Sequence, residues 1–460
     1  MSDANVSYRP TGTRLDLVLS VAYHDDVTRI GESLSLSQVT DGEPMVIGAM
    51  SGVFGENPLG HESCMGRNQF QLIPWQPVGC IAVLALHESV ETLVNGDRVM
   101  GTQILNTGDT ISAGRTLLVL HERPTGLDSA VQESSSLAGV SAAVCMLREQ
   151  IAELAPLDHS VLIIGESGVG KEVVAKELHS ISGRRGKLAS LNCRAVPASL
   201  GEGYLVGWKK GAFIGAVSDR DSLFQAANDG TLFLDAVGEM DAGIQVILNK
   251  IIAQGYYTQL GAENIQPLDV RFVSATNAQL PSSSFSSDLY ARIGARVLYI
   301  PPLRERPEDI PLLAYHLLRR CARELSMKPP IIGYGLMCSL VSAQWPLNAR
   351  ALRTAIKNLL VAQPNQRRLA VHPVLREALG AAATSNIMTT QEVDMPHRQV
   401  PARFVTDPEF SEVAAATNYN KDEIARQLGW DPRTISRRLR KIGRTVSSPS
   451  IPQSSGSENE

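Results

Sequence analysis

Residues 161–172 read VLIIGESGVGKE, and few stretches leave a chain so little choice of local structure. Val161, Leu162, Ile163 and Ile164 form an apolar run of the kind that makes a buried strand. Gly165, Gly168 and Gly170 then free the backbone to wrap closely around a bound group. Lys171 closes the loop, and residues 172–179, EVVAKELH, have helical spacing. A strand, a glycine-rich loop and a helix in that order make a phosphate cradle. The backbone N–H groups of Glu166, Ser167 and Val169 and the helix N-terminus face the anion, and Lys171 reaches the outer phosphates. The bland alternative is a glycine-rich turn that binds nothing; the spacing after a strand and before a helix argues against it. Glu172 stands where the generic loop places Ser or Thr on magnesium.

A chain of 460 residues exceeds one compact core, so two or three domains are expected. With 43% hydrophobic and 20% charged residues and a net charge of −4, the composition is ordinary for a globular protein and names no partner. No apolar run approaches bilayer length, and the first residues, MSDANVSYRPTGTRLD, lack a signal-peptide core, so the cytoplasm is the expected location. Cys64, Cys80, Cys145, Cys193, Cys321 and Cys338 include no C-x-x-C pair and read as thiols.

Residues 14–122 read as short strands separated by turns, a β-sandwich pattern; the runs are 15–19, 45–47, 70–73, 80–84 and 117–120. Within it, TLVNGDRV (92–99), LNTGDTI (105–111), Ile47-Gly48 and GRNQF (66–70) resemble a forkhead-associated (FHA) domain. That resemblance implies a phosphothreonine-peptide site at one end of the sandwich, with Arg67 and Asn95 as its contacts. The site is depleted: Ala49 stands where the family has Arg, and Gly66-Arg67-Asn68-Gln69 where it has Ser-Arg-x-His. Charge-assisted donors are what hold a phosphate, so a structural or protein-binding sandwich is favoured, with a working phosphopeptide reader as the open alternative.

Residues 123–136 are polar and read as a linker. A helix follows over about 140–154. Strands at 161–164, 188–193, 230–235, 270–277 and 297–300 then alternate with helical patterns, giving an α/β doubly wound fold over 137–308 with ligands at the carboxyl ends of the strands. Residues 309–379 read as helical throughout, a small lid.

GESGVGKE, Leu191-Asn192-Cys193, GAFIGA (Gly211, Ala212, Phe213, Ile214, Gly215, Ala216), GTLFLD (230–235), PLRER (302–306) and WPLNAR (345–350) follow in one register. Together they resemble the AAA+ domain of bacterial enhancer-binding proteins, which activate RNA polymerase carrying sigma-54. Glu172 is normal for that family. The resemblance implies ATP and Mg2+ as ligands, Asp235 on the metal, Arg350 as the lid's sensor arginine, Asn277 as the polar sensor after its strand, and a homo-oligomeric ring. It also implies that Asn192 restrains a catalytic glutamate and that residues 211–216 touch sigma-54.

Residues 380–405 read as a second linker and 406–444 as a helix-turn-helix; the segment 445–460 is compositionally disordered. DEIARQL (422–428) is the first helix and Gly429 the turn. Asp431 is the N-cap, Pro432 the first helical position, and RTISRRLRKI (433–442) the second helix. Ile435, Leu439 and Ile442 make its buried face. Arg433, Thr434 and Arg437 are candidate base-edge contacts on double-stranded DNA, and Arg438, Arg440 and Lys441 candidate phosphate contacts. A basic run is usually only a solvated face; here the turn, the cap and a resemblance to the Fis-type domain of the same family favour DNA.

Against that family the chain lacks parts needed for hydrolysis. The catalytic glutamate after Asp235 is Ala236, and general-base assistance typically supplies roughly 10²–10⁴ in rate. Of two arginines offered across the subunit boundary, the first is Ser286 and only Arg292 remains; such fingers are worth roughly 10³–10⁵ in related phosphoryl transfers. The sigma-54 loop has Ile214 where the family has Thr. The expected protein is therefore a multidomain chain: FHA-like sandwich, AAA+ domain with helical lid, and an all-α DNA-binding end. Three functions stay open: an ATP-binding regulator with impaired hydrolysis and coupling, a working sigma-54 activator, or a phosphopeptide-binding or scaffold protein with a structural nucleotide site.

Overall fold

The computed structural model describes residues 15–49, 59, 65–77, 79–86, 90–126, 136–197, 200–277, 280 and 284–375, all within the first of two units of the chain, Met1–Met388. The expected helix-turn-helix, with Arg433, Thr434, Arg437, Arg438, Arg440 and Lys441, lies outside the described residues, as do the second linker and the last 16 positions, 445–460.

Two sheets form the N-terminal sandwich. Its strands are β1 (Leu15–Tyr23), β2 (Ser33–Ser35), β3 (Met45–Ile47), β4 (Phe70–Trp75), β5 (Cys80–Ala85), β6 (Thr92–Val94), β7 (Asp97–Arg98), β8 (Thr102–Leu105), β9 (Thr110–Ala113) and β10 (Thr116–Pro124). One sheet runs β2-β1-β10-β9-β6-β7 and the other β3-β4-β5-β8. All five runs read from the sequence are strands. The expected linker starts too early, because β10 continues through Arg123 and Pro124, which pair with Asp16 and Leu15. Ladder hydrogen bonds to β1 hold that polar end in the sheet against its turn-forming composition.

β1 and β10 are buried on both faces, and the two-residue period, broken in β1 by a register irregularity between Val21 and Tyr23, divides each between two cores. Leu19, Val21, Leu118 and Leu120 fill the sandwich interior. Ala22, Tyr23, Leu117 and Val119 face the other way and join the core of the helical lid. The fully buried Tyr23 ring meets Tyr334 edge-on at 5.4 Å. Its hydroxyl accepts from Arg368 at 3.1 Å and donates to Asp25 at 3.2 Å.

After the sandwich come α1 (Ala142–Leu154), β11 (Val161–Gly165), α2 (Lys171–Ile181), β12 (Leu188–Asn192), β13 (Gly230–Asp235), α3 (Ala242–Gln254), β14 (Tyr256–Thr258), β15 (Ile265–Pro267), β16 (Val270–Thr276), α4 (Ser287–Ile293) and β17 (Arg296–Ile300). β12-β13-β16-β11-β17 form a parallel sheet; β14 and β15 are a separate hairpin. β11 lies between β16 and β17, so the loop after it opens at the carboxyl edge where ligands sit in such sheets.

The lid comprises α5 (Ile310–Glu324), β18 (Ile331–Ile332), α6 (Tyr334–Val341), α7 (Asn348–Ala362) and β19 (Arg368–Leu369). It is not helical throughout: β18 and β19 pair in parallel, tying the segment after α7 back to the α5–α6 connection. Leu318, Cys321, Leu336, Leu340, Trp345, Leu352 and Leu359 are buried at its centre. The start of the α/β domain is pinned by buried charges. Glu177 accepts from the backbone and hydroxyl of Ser136, and Arg148 donates to the Leu137 and Gly139 carbonyls. Asp309, fully buried, accepts from Val140 N, Ser141 N and Ser141 Oγ at 2.6–2.8 Å. No helix among the described residues is long and apolar enough to cross a membrane.

Candidate nucleotide site

Residues 165–171 leave β11 and enter α2 at Lys171, with Gly170 in the left-handed region as the cap. Gly168 needs its missing side chain twice over. Its φ is +81°, and a Cβ there would lie 2.2 Å from the Leu347 carbonyl oxygen of the lid. Lys171 Nζ donates to the carbonyls of Gly165 at 2.7 Å and Glu166 at 2.9 Å. Burial pulls the Lys171 ammonium below its usual range, and Asp235 opposes that shift. The free N-terminal backbone of α2, the lysine and the Asp235 carboxylate at the end of β13 fit a polyphosphate with a divalent cation. Glu172 points outward to Lys176 at 2.6 Å.

The lid holds this loop through contacts that the sequence motifs do not declare. Arg304 forms a two-pronged bond to the Glu166 carboxylate at 2.7 and 2.9 Å, holding it below the usual carboxylate range. Asn348, fully buried with φ +53°, donates to Glu166 Oε2 at 3.1 Å and to the Ser167 carbonyl at 3.0 Å. It also accepts from Leu303 N at 2.6 Å. Arg350 Nη1 donates to Ser167 Oγ at 2.9 Å, and Arg306 donates to the Val169 carbonyl at 3.2 Å while pairing with Asp309. Sequence reasoning found Arg350 but missed Arg304, Arg306 and Asn348. All three lie inside the quoted motifs PLRER and WPLNAR, so the signal was present without a role attached.

At the hydrolysis end the register aligns Asn192 with Asp235. Ala236 follows in the left-handed conformation, φ +55° and ψ +42°. Asp235 Oδ1 accepts from Ala236 N at 3.0 Å. Asn192 Oδ1 accepts from Arg194 N at 3.1 Å, capping the short turn after β12. Glu239, a carboxylate within reach of this corner by sequence, is clasped by the Arg194 guanidinium, which holds it below its usual range. Asn277 follows β16 and is exposed. Arg292, in the last turn of α4, donates to Asn249 at 2.9 Å. Ser286 caps that helix, accepting from Leu289 N at 3.3 Å, a bond an arginine side chain could not make.

Residues 211–216 crown a hairpin closed by Trp208 and Arg220, which exchange backbone hydrogen bonds at 2.8 and 3.0 Å. Gly211 N donates to the Ala216 carbonyl at 2.9 Å. Phe213 packs edge-on against Trp208 at 5.4 Å, Ala212 approaches Gly261, and Ile214 is fully exposed beside the turn at Gly215.

The sandwich end singled out for phosphopeptides is differently occupied. Ala49 is buried. Asn95, exposed at the surface, engages its amide with neighbouring loop and strand residues, donating to Asp109 at 2.7 Å and accepting from Thr110 N at 2.9 Å. Gln69, fully buried, accepts from Gly66 N and donates to Val90 O and Thr92 Oγ1, so it ties two loops together. Arg67 is exposed.

Three family models match the chain in series: the Sigma-54 interaction domain over residues 137–299, the AAA+ ATPase lid domain over 304–388, and the Bacterial regulatory protein, Fis family, over 411–441. The C4-dicarboxylate transport transcriptional regulatory protein DctD of Pseudomonas aeruginosa is 34% identical over 342 residues, which cover 72% of this chain and 70% of that one. The transcriptional regulatory protein GlrR of Escherichia coli is 42% identical over 238 residues, 51% of this chain and 52% of that one. The DNA-binding transcriptional activator HyfR of Escherichia coli is 35% identical over 316 residues, 65% of this chain but only 46% of its own length.

Proposed function

The chain belongs to the sigma-54-dependent bacterial transcriptional regulators, and from that premise we propose that it is an ATP- and DNA-binding regulator whose own subunit lacks the general base for hydrolysis. The observation that carries this reading is the corner after β13. Ala236 offers no carboxylate there, and the nearby Glu239 is bound by Arg194. Binding is supported by the intact cradle, with Lys171 on the outer phosphates, Asp235 toward Mg2+ and Arg350 from the lid. ATP then acts as a ligand for assembly into a ring, and the Fis-type segment holds duplex DNA. The FHA-like sandwich serves as a structural brace for the lid rather than a phosphothreonine reader, because Asn95 is engaged and Ala49 is buried. The protein works in the cytoplasm beside RNA polymerase.

A second reading, a working sigma-54 activator, is favoured by the exposed loop at Phe213 and Ile214 and by the remaining Arg292. Nucleotide binding and steady-state turnover, measured on purified full-length protein, separate the two. The first reading expects ATP bound, binding lost in Lys171→Ala, and no turnover above background. Robust turnover in the wild type overturns it and leaves the activator.

A further inference from the structure

The charge of the lid is out of proportion to that of the chain. Between residues 310 and 375 there are nine Lys or Arg and a single Asp or Glu, Glu324, whereas the whole chain has 43 basic against 47 acidic residues. The excess is also organised. On α5 the buried positions Ala314, Leu317, Leu318, Cys321 and Ala322 face the lid core. The opposite stripe, at helical spacing of three and four, is His316, Arg319, Arg320 and Arg323, all exposed. On α7 the outward stripe carries the half-buried Arg353 and the exposed Lys357. Glu324, at the end of α5, accepts from Arg353 at 2.9 Å, so the two stripes adjoin across the helix pair. Glu324 also pairs with Arg320 at 3.3 Å. Arg319, Arg323 and Lys357 have no ion-pair partner among the described residues. None of this face is used by the nucleotide loop or by the contact with the sandwich.

We propose that the α5–α7 face of the lid is a second, sequence-independent contact for the phosphate backbone of double-stranded DNA. The occupant follows from charge and from the chain itself. A stripe of arginines with one acidic neighbour complements a surface of closely spaced monoanions, and arginine forks match phosphate oxygens. The matched Fis-type segment, residues 411–441, follows the lid in the same chain, so duplex held by it is offered to the lid at high effective concentration. The inference therefore rests on the DNA-binding reading above. It extends that reading by dividing the work: the helix-turn-helix specifies, and the lid adds salt-sensitive affinity that base sequence does not tune.

The test is the salt dependence of duplex binding by the full-length protein, followed by fluorescence anisotropy with a labelled duplex of random sequence. The variant carries Arg319→Gln, Arg323→Gln and Lys357→Gln; all three positions are exposed, and retention of ATP binding checks that the lid is folded. Each lost phosphate contact lowers the log–log salt slope by about 0.9, so three lower it by about 2.7. Between 50 and 200 mM salt the wild type should then lose about 40-fold more affinity than the variant. A second variant, Arg319→Lys with Arg323→Lys, keeps the charges and should keep the wild-type slope. An unchanged slope in the Gln variant overturns the lid contact while leaving helix-turn-helix binding intact. A change in oligomeric state with no change in slope overturns it in favour of an acidic face on a neighbouring subunit. Failure of the wild type to bind any duplex overturns this inference and the DNA-binding reading together.

Discussion

Ala236→Glu is the substitution that most directly interrogates the hydrolysis corner. The left-handed backbone at residue 236 costs about 1–2 kcal/mol for any residue with a Cβ, and alanine already carries that cost, so glutamate adds no further backbone strain. The position is half-buried at the end of β13, one residue past Asp235 and beside the Asn192 strand end. A carboxylate placed there can take the proton of an attacking water, an effect worth roughly 10²–10⁴ in rate, or about 2.7–5.5 kcal/mol of barrier. The gain should fall in the lower part of that range if Arg292 is the one arginine offered across the subunit boundary, because Ser286 is a helix cap and supplies no charge. The assay is ADP release by the variant and the wild type at protein concentrations that favour assembly, with ATP affinity measured alongside. A gain of about 10²-fold at unchanged affinity meets the expectation. A variant that binds ATP and is folded yet turns over no faster than the wild type would refute the argument that the missing carboxylate is what limits this site.

Two further outcomes follow from the packing. Tyr23→Ala should cost about 3–5 kcal/mol, as large aromatic truncations in cores do, and Tyr23→Phe only about 0.5–1.5 kcal/mol, since the Tyr334 contact survives and only the bonds to Asp25 and Arg368 go. Urea unfolding measures both, and a cost below about 1 kcal/mol for the alanine variant would mean the sandwich does not brace the lid. Burial beside Asp309 pushes the Glu308 carboxyl up from 4.5 to about 8. Because the folded value lies above the unfolded one, the associated stability is complete below about pH 4.5 and is lost as pH rises through about 8. Glu308→Gln should flatten the fall in Tm across that window; parallel melting curves for variant and wild type would count against it.

The parts of the fold that were legible in the sequence are those set by local pattern. The nucleotide loop, its strand and its helix are one contiguous run, and the strands at 45–47, 80–84 and 230–235 announce themselves by apolar runs between turns. What stayed hidden depends on partners far away in the chain. β18 and β19 are two residues each, too short to leave a periodic signal, and exist because the lid brings them together. Asn95 is satisfied by Asp109 and Thr110, a pairing that only the closed sandwich creates. The fork from Arg304 to Glu166 spans 138 positions. One long-range feature did leave a trace. The unbroken run Leu117-Leu118-Val119-Leu120 is too apolar for a strand with one wet face, and its second face is the one that meets the lid.

That second face bears on what ATP can do under the reading proposed above, in which Ala236 leaves the subunit without a general base. The nucleotide loop is fastened to the lid by the Arg304 fork, Asn348, Arg350 and Arg306, and the lid is fastened to the sandwich by a shared apolar core. A ligand seated among those anchors and not hydrolysed contributes its binding free energy to holding the three parts together, about 2.7 kcal/mol at a hundredfold excess over its Kd. That is comparable to truncating one buried side chain and is enough to shift an assembly equilibrium about a hundredfold. A motor spends the same binding on movement and then discards product; on the proposed reading, the site with Asp235 and Lys171 in place but Ala236 beside them keeps the first half and not the second. The retained anchors and the missing base are therefore consistent with one role, in which nucleotide concentration, rather than nucleotide turnover, sets how firmly the sandwich, lid and phosphate loop act as a unit.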